Sequence, residues 1–215
     1  RLKILAGMDI GERRRPQDGK IELRLAGEDF DIRASILPLA EGESAVLRFL
    51  RRTALVYDMK ELGLSADIER LVLEDLAVTS EVVLLTGPTG SGKTTTLYTF
   101  LSRLNREEVK IITLEDPVEY QLSGINQVQV QPSIGFDFAH GLRSVVRQDP
   151  DFIMVGEIRD LETASIAIKA AQTGHMVMST LHTNSASETL TRMLNMGVAA
   201  FNLATTVNLI IAQRL

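Results

Sequence analysis

Alternation of apolar and polar side chains marks the first part of the chain. Ile21-Glu-Leu-Arg-Leu25 alternates, Gly27-Glu28-Asp29 has the composition of a turn, and Phe30 to Ile36 alternates again, which predicts a β-hairpin. Glu43 to Leu50 is a candidate third strand. Residues 1–55 therefore read as a small α/β or β-rich module. Gly63 falls in a candidate linker over 52–64, and Ser65 to Leu76 has helical spacing with Ser65 placed as its cap. Residues 56–76 are thus read as linker and helix. From Glu81 the pattern changes. Short apolar, β-branched runs at 82–86, 110–114, 151–155 and 176–180 alternate with helical periodicity at 93–104, about 138–147, 161–172, 187–195 and 199–213. That alternation predicts an α/β core over 77–215, with a mostly parallel sheet covered by helices.

The 215 residues suit one large domain or a core with a small companion, and 45% hydrophobic residues suffice for a packed interior. The net charge of −5 gives no global basic field for nucleic acid. There is no cysteine, hence neither a disulfide framework nor a Cys-ligated metal. No apolar run approaches the roughly 20 residues that span a bilayer, and no signal peptide is visible. A start at Arg1 and an end inside an apolar segment read as a piece of something longer.

The sharpest chemical signal is Thr86-Gly-Pro-Thr-Gly-Ser-Gly-Lys-Thr-Thr-Thr96. Gly87, Pro88, Thr89, Gly90, Ser91, Gly92, Lys93 and Thr94, followed by Thr95, have the spacing of a phosphate-binding loop. Glycines let consecutive N–H groups face an anion, Lys93 reaches the outer phosphates, and the Thr94 hydroxyl is suited to Mg²⁺. A strand before the loop and a helix after it put a helix N-terminus at the phosphates. ATP and Mg²⁺ are the expected cofactors.

In open α/β sheets ligands bind beyond the carboxyl ends of the strands. Past 110–114 come Glu115, Asp116 and Glu119, an acidic cluster suited to a metal or a water. Past 151–155 comes Glu157, assigned to Mg²⁺ or water. Asp151 lies ~20 Å away at the other end of that strand and is read as ordering the turn Gln148-Asp149-Pro150. His182 falls at the carboxyl end of the last strand, where a γ-phosphate sensor would sit. Ser185 and Glu188 form a capping-box pattern after it. For His175 a structural and a functional role stay open, and His140 reads as surface. Arg143 and Arg147 share one helix face. With Arg33 and Arg159 they supply more positive charge than one nucleotide in one subunit needs.

These motifs resemble the ATPases that power type II secretion and type IV pilus assembly. The resemblance covers nearly the whole chain: "MDIGERRRPQDGK" (8–20), "GPTGSGKTTTLY" as Walker A, "ITLEDPVEY" (112–120) as Asp box, "LRSVVRQDPDFIMVGEIRD" (142–160) as Walker B region, and "AAQTGHMVMSTLHTN" (170–184) as His box. It implies a RecA-like P-loop NTPase core with a small PAS-like N-terminal α/β module. It further implies a homo-hexamer that is cytoplasmic and peripheral at the inner membrane, where it works on secretion or pilus platform proteins. By residue it implies nucleotide and Mg²⁺ contacts for Lys93 and Thr94. Glu119 is the Asp-box glutamate, Glu157 the Walker B glutamate, and His182 the histidine near the γ-phosphate. Arg33, Arg143, Arg147 and Arg159 are implied to surround nucleotide within or between subunits.

Two departures stand out. Lys20 replaces the usual arginine of "PQDGR", keeping charge but losing a bidentate fork. The four-cysteine module often found further along, and an N-terminal docking domain, are absent from these residues. Which of Glu119 and Glu157 activates water stays open, as does secretion against pilus assembly. A nucleic-acid translocase or conjugation-type ATPase on the same core is the competing reading. The acidic balance and 5% aromatic content count against a stacking groove for single strands.

Overall fold

The computed structural model describes residues 1–51, 58–78 and 80–214. Contacts divide the chain into two units, Arg1–Leu55 with Glu119–Gln121, and Val56–Val118 with Leu122–Leu215.

In the first unit, a short helix α1 (Leu2–Leu5) precedes an antiparallel meander of β1 (Gln17–Leu25), β2 (Glu28–Pro38) and β3 (Glu43–Arg51). The predicted hairpin turns at Ala26-Gly27, one residue earlier than the sequence pattern suggests. Both residues have positive φ, 51° and 88°, as the tight turn matching strand twist requires. Alternation along β1 and β2 gathers Ile21, Ile32 and Ala34 on one face, where they pack with Ala6. On the opposite face Lys20 pairs with Asp31 at 2.9 Å and with Glu22 at 3.0 Å. The hydrogen bond that Lys20 donates to Asp31, and then the one it donates to Glu22, raise its ammonium above the usual lysine range.

The linker reading of 52–64 falls partly on residues outside the described ones. From Asp58 onward it holds a 3-10 turn, Met59–Leu62, closed by Gly63 in the left-handed region. Helix α2 (Ala66–Leu76) begins after Ser65 as expected, but the Ser65 hydroxyl makes no capping hydrogen bond.

The second unit is built on six parallel strands in the order β6-β5-β7-β8-β4-β9. They are β4 (Val82–Thr86), β5 (Ile111–Glu115), β6 (Asn126–Gln129), β7 (Phe152–Val155), β8 (Met176–Leu181) and β9 (Val207–Ala212). Every residue of β4, β5, β7 and β8 is buried, which is why they read as unbroken apolar runs rather than alternating ones. Helices α3 (Lys93–Leu104), α4 (Phe138–Val146), α5 (Leu161–Gln172), α6 (Ala186–Asn195) and α7 (Ala200–Thr206) complete the unit. Asp137, Asp160 and Ser185 cap α4, α5 and α6 through side-chain oxygens. Glu188 accepts from the Asn184 N–H at 2.7 Å, so it closes the box one residue further back than the usual pattern.

Two parts of the sheet depart from the sequence pattern. The segment 199–213, expected as one helix, is α7 followed by edge strand β9. Val207 turns extended, and Val207, Ile210 and Ile211 of this β-branched run pair with β4 instead of continuing the helix. Strand β6 has no counterpart in the sequence pattern. It is an edge strand of four residues, three of them polar, and carries no periodic signal.

Beneath β5, the buried Glu115 carboxylate accepts from Tyr98, from Thr113 at 2.5 Å and from Gln127 at 3.1 Å. A buried ionisable group is tolerated because donors converge on it. Tyr98→Phe removes one charge-assisted donor, and the expected loss is about 1.5–3 kcal/mol of unfolding free energy. Urea denaturation followed by circular dichroism measures it; an unchanged midpoint would contradict the arrangement.

Candidate nucleotide site

Parallel strands end at one edge, and the candidate chemistry of the second unit collects there. After β4 the chain passes through Gly87–Gly92, with Gly90 and Gly92 in the left-handed region, and enters α3 at Lys93. Lys93 Nζ folds back to donate to the carbonyls of Gly87 at 2.8 Å and Pro88 at 3.0 Å. Burial pulls its ammonium below the usual lysine range, and the charge of Glu157 acts in the opposite sense. Ser91 Oγ is buried with no hydrogen-bond partner among the described residues. Thr94 lies exposed in the first helical turn and Thr95 half-buried beside it.

Glu157 sits between two anchored neighbours. Gly156 N–H donates to Leu114 O at 2.7 Å, Thr180 Oγ1 donates to Gly156 O at 2.7 Å, and Ile158 N–H donates to Thr180 O at 3.0 Å. A Cβ on Gly156 would stand 3.2 Å from the Leu114 carbonyl, so a side chain here would require the end of β5 to give by a few tenths of an ångström. The Glu157 side chain is 15% exposed and faces two basic side chains. Arg159 pairs with one oxygen, and His182 Nε2 lies 3.4 Å from the other. The hydrogen bond to Glu157 raises the Arg159 guanidinium above its ordinary range.

The other candidates take separate partners. Arg143 pairs with Glu162 between α4 and α5, and Arg147 donates to Ser144 Oγ at 3.2 Å. Arg33 lies 3.7 Å from Glu119 within the first unit. The three carboxylates past β5 do not act as one cluster. Glu115 belongs to the Tyr98 network, Asp116 adds charge beside Arg159, and Glu119 faces Arg33. Among the described residues no group of three or more acidic, His or Cys side chains is placed to hold a metal by itself. Asp151 accepts from Lys110 N–H at 2.7 Å, so it ties the start of β5 rather than the turn before it; Lys110 Nζ binds that turn at Gln148 O. His175 bonds Pro150 O at 2.7 Å at the amino end of β8, a structural place. His140 is exposed beside the Phe136 ring.

One residue escapes the sequence pattern. Gln213 N–H donates to Thr86 O at 2.8 Å, and its side-chain oxygen accepts from Thr96 at 2.9 Å. It thereby touches the strand entering the phosphate loop and the helix leaving it. Its signal is its position directly past Val207–Ala212, which is visible only when that run is read as a strand.

A sequence model of the family described as "Type II/IV secretion system protein" matches residues 1–215. The chain belongs to this family. It is 58% identical over its whole length to type II secretion system protein E of Xanthomonas campestris pv. campestris, and 60% identical to the type IV pilus assembly ATPase PilB of Pseudomonas aeruginosa. The chain spans 38% of the length of each of these relatives. Among solved structures, the pilus retraction motor PilT with bound ADP superposes with a TM-score of 0.77 at 36% identity, covering 92% of this chain and 58% of that one. The Legionella pneumophila ATPase DotB superposes with a TM-score of 0.71 at 28% identity, covering 88% and 54%. The mixed α/β architecture is thus that of a P-loop ATPase core of the type II/IV secretion family. Among the described residues no helix is long and apolar enough to cross a membrane.

Gly87 gives the sharpest test of the loop. Its φ is +145°, and an added Cβ would stand 2.2 Å from the backbone oxygen of Gln213. Gly87→Ala must displace either the loop or the end of β9. At roughly 1–3 kcal/mol of local strain, nucleotide affinity should fall about ten-fold or more. Titration with a fluorescent ADP analogue reads this out, and wild-type affinity would show that Gln213 does not constrain the loop.

Proposed function

We propose that this chain is the ATP-hydrolysing part of a motor that powers type II protein secretion or type IV pilus assembly. The observation that carries it is the placement of the phosphate loop and the Glu157–Arg159–His182 cluster at one edge of a parallel sheet, in a chain of this family. The similarity to relatives named for each process is nearly equal, so both remain within the proposal. The core is read as RecA-like and the first unit as a reduced PAS-like module, supported by the order of the strands and by the meander with its short helix. The functional divisions are 1–55, 56–76 and 77–215.

The residues suit a magnesium nucleotide. Lys93 is a buried cation held by carbonyls in the loop, Ser91 carries an orphaned hydroxyl there, and the loop glycines leave backbone amides for an anion. Thr94 and Glu157 are the hard oxygen ligands that Mg²⁺ prefers. When bound, Mg²⁺ neutralises charge on the outer phosphates. Lys93 then exchanges its loop carbonyls for phosphate oxygens. Glu157 directs the attacking water or the metal, with Glu119 the other candidate for activating water. His182 contacts the γ-phosphate, and Arg159 holds Glu157. Arg33, Arg143 and Arg147 supply charge within a subunit or across a homo-hexameric interface. Such a ring would act at the cytoplasmic face of the inner membrane, on platform proteins of the secretion or pilus machinery.

Binding and hydrolysis of Mg-ATP separate these roles. Lys93→Ala should abolish nucleotide retention without unfolding. Glu157→Gln should keep ATP but lose on the order of 10²–10⁴ in turnover, and the same measurement on Glu119→Gln assigns the water. Mixing Lys93→Ala with Arg33→Ala subunits should restore part of the activity if Arg33 acts across an interface. Near-normal turnover in both glutamate variants would sink the proposal.

A further inference from the structure

A chain of three buried hydroxyls joins the phosphate loop to the segment carrying His182. Thr86, the last residue of β4 before Gly87, has its Oγ1 2.7 Å from Thr183 O and 2.5 Å from Thr183 Oγ1. Thr183 N–H in turn donates to Thr86 Oγ1 at 3.1 Å. Thr183 Oγ1 lies 2.5 Å from Thr189 Oγ1 on α6, and Thr189 Oγ1 donates to Ser185 O at 3.0 Å. Thr86, Thr183 and Thr189 are 0%, 5% and 0% exposed. Packing alone does not call for this, because valine has nearly the same shape without the polar atom. A buried hydroxyl is retained at no cost only when its partners are present. The three hydroxyl protons can fill at most three of these four oxygen contacts, so none is spare.

The placement is what gives the ladder a purpose. Thr183 comes directly after His182, and Thr86 directly before Gly87. β4 and β8 are neighbours paired up to Thr86 and Leu181, and the ladder ties Thr86 a second time to Thr183, two residues past the end of β8. The His182 side chain is 56% exposed and its Nε2 reaches to 3.4 Å from Glu157 out of a loop. Without a second tether its backbone would be free to move relative to the phosphate loop.

We propose that Thr86, Thr183 and Thr189 are positioning residues that set the distance of His182 from the phosphate loop, and hence from the outermost phosphate. The proposal rests on the reading of His182 as a contact to that phosphate. It predicts an effect on the chemical step rather than on nucleotide retention, because the ladder touches neither Lys93 nor the loop amides.

The test is steady-state hydrolysis and ADP affinity in the full chain, with thermal unfolding alongside. Thr183→Val should lower kcat by about 10- to 100-fold, the scale expected for a misplaced catalytic group. ADP affinity should stay within about two-fold, because an interaction made only in the transition state leaves ground-state binding alone. Thr183→Ser, which keeps the hydroxyl, should restore most of kcat. Thr189→Val removes only the outer rung, so it gives a milder variant with the same signature should Thr183→Val fail to fold. In a His182→Ala background, Thr183→Val should lower kcat no further, since both changes remove the same contribution. Losses that add across the two sites, or that fall equally on kcat and ADP affinity, would reduce the ladder to packing and overturn the proposal. If His182→Ala lowers kcat while the two valine variants do not, the ladder is wrong and His182 keeps its role. If His182→Ala leaves kcat unchanged, the reading of His182 fails and the ladder with it.

Discussion

The parallel pairing of β4 with β8 on one side and β9 on the other is the constraint on which the site depends. Antiparallel neighbours would send alternate strand ends to opposite edges. In this sheet every strand delivers the residues past its carboxyl end to the same edge, so Gly87–Lys93, Glu157, His182 and Gln213 are gathered without long loops. Burial of whole strands makes the arrangement rigid. β4, β5, β7 and β8 have no solvent-facing side, and slippage of any one would carry its terminal loop elsewhere.

Short-range bonds then refine what the strands place coarsely. Gly156 and Ile158 are each tied by backbone bonds, so Glu157 has little freedom between them. Gln213 holds Thr86 and Thr96 across the loop. The charges at this edge are balanced in a form suited to exchange. Lys93 is bonded to neutral carbonyls and lowered by burial, so an incoming anion is the stronger partner for its charged form. Glu157 is occupied by Arg159 and faced by His182, which keeps a carboxylate at the edge tolerable beside anionic phosphates.

Much of this is legible in the sequence, for physical reasons. The phosphate loop is local: glycine spacing, a lysine and flanking strand and helix all lie within one short stretch. Buried strands announce themselves as apolar runs, and Glu157 and His182 stand at the carboxyl ends of two of them. Sequence patterns fail where a signal is shared or missing. Val207 to Ala212 continues from a helix without a turn residue, so its β-branched run merges into the helical periodicity, and Gln213 is lost with it. β6 has one apolar residue in four. Glu115 looks like a site carboxylate because sequence cannot show that Tyr98, Thr113 and Gln127 close around it. The threonine ladder joins positions 97 residues apart, a separation that no local pattern carries.

The central claim is that a nucleotide's phosphates lie at this edge, between Lys93 and His182. A crystal structure of the protein with Mg²⁺ and a non-hydrolysable ATP analogue tests it most directly. Lys93 Nζ is predicted to leave the carbonyls of Gly87 and Pro88, with a γ-phosphate oxygen within about 2.7–3.2 Å of Lys93 Nζ and His182 Nε2. A nucleotide bound away from the loop, with Lys93 still on those two carbonyls and His182 facing solvent, would contradict it.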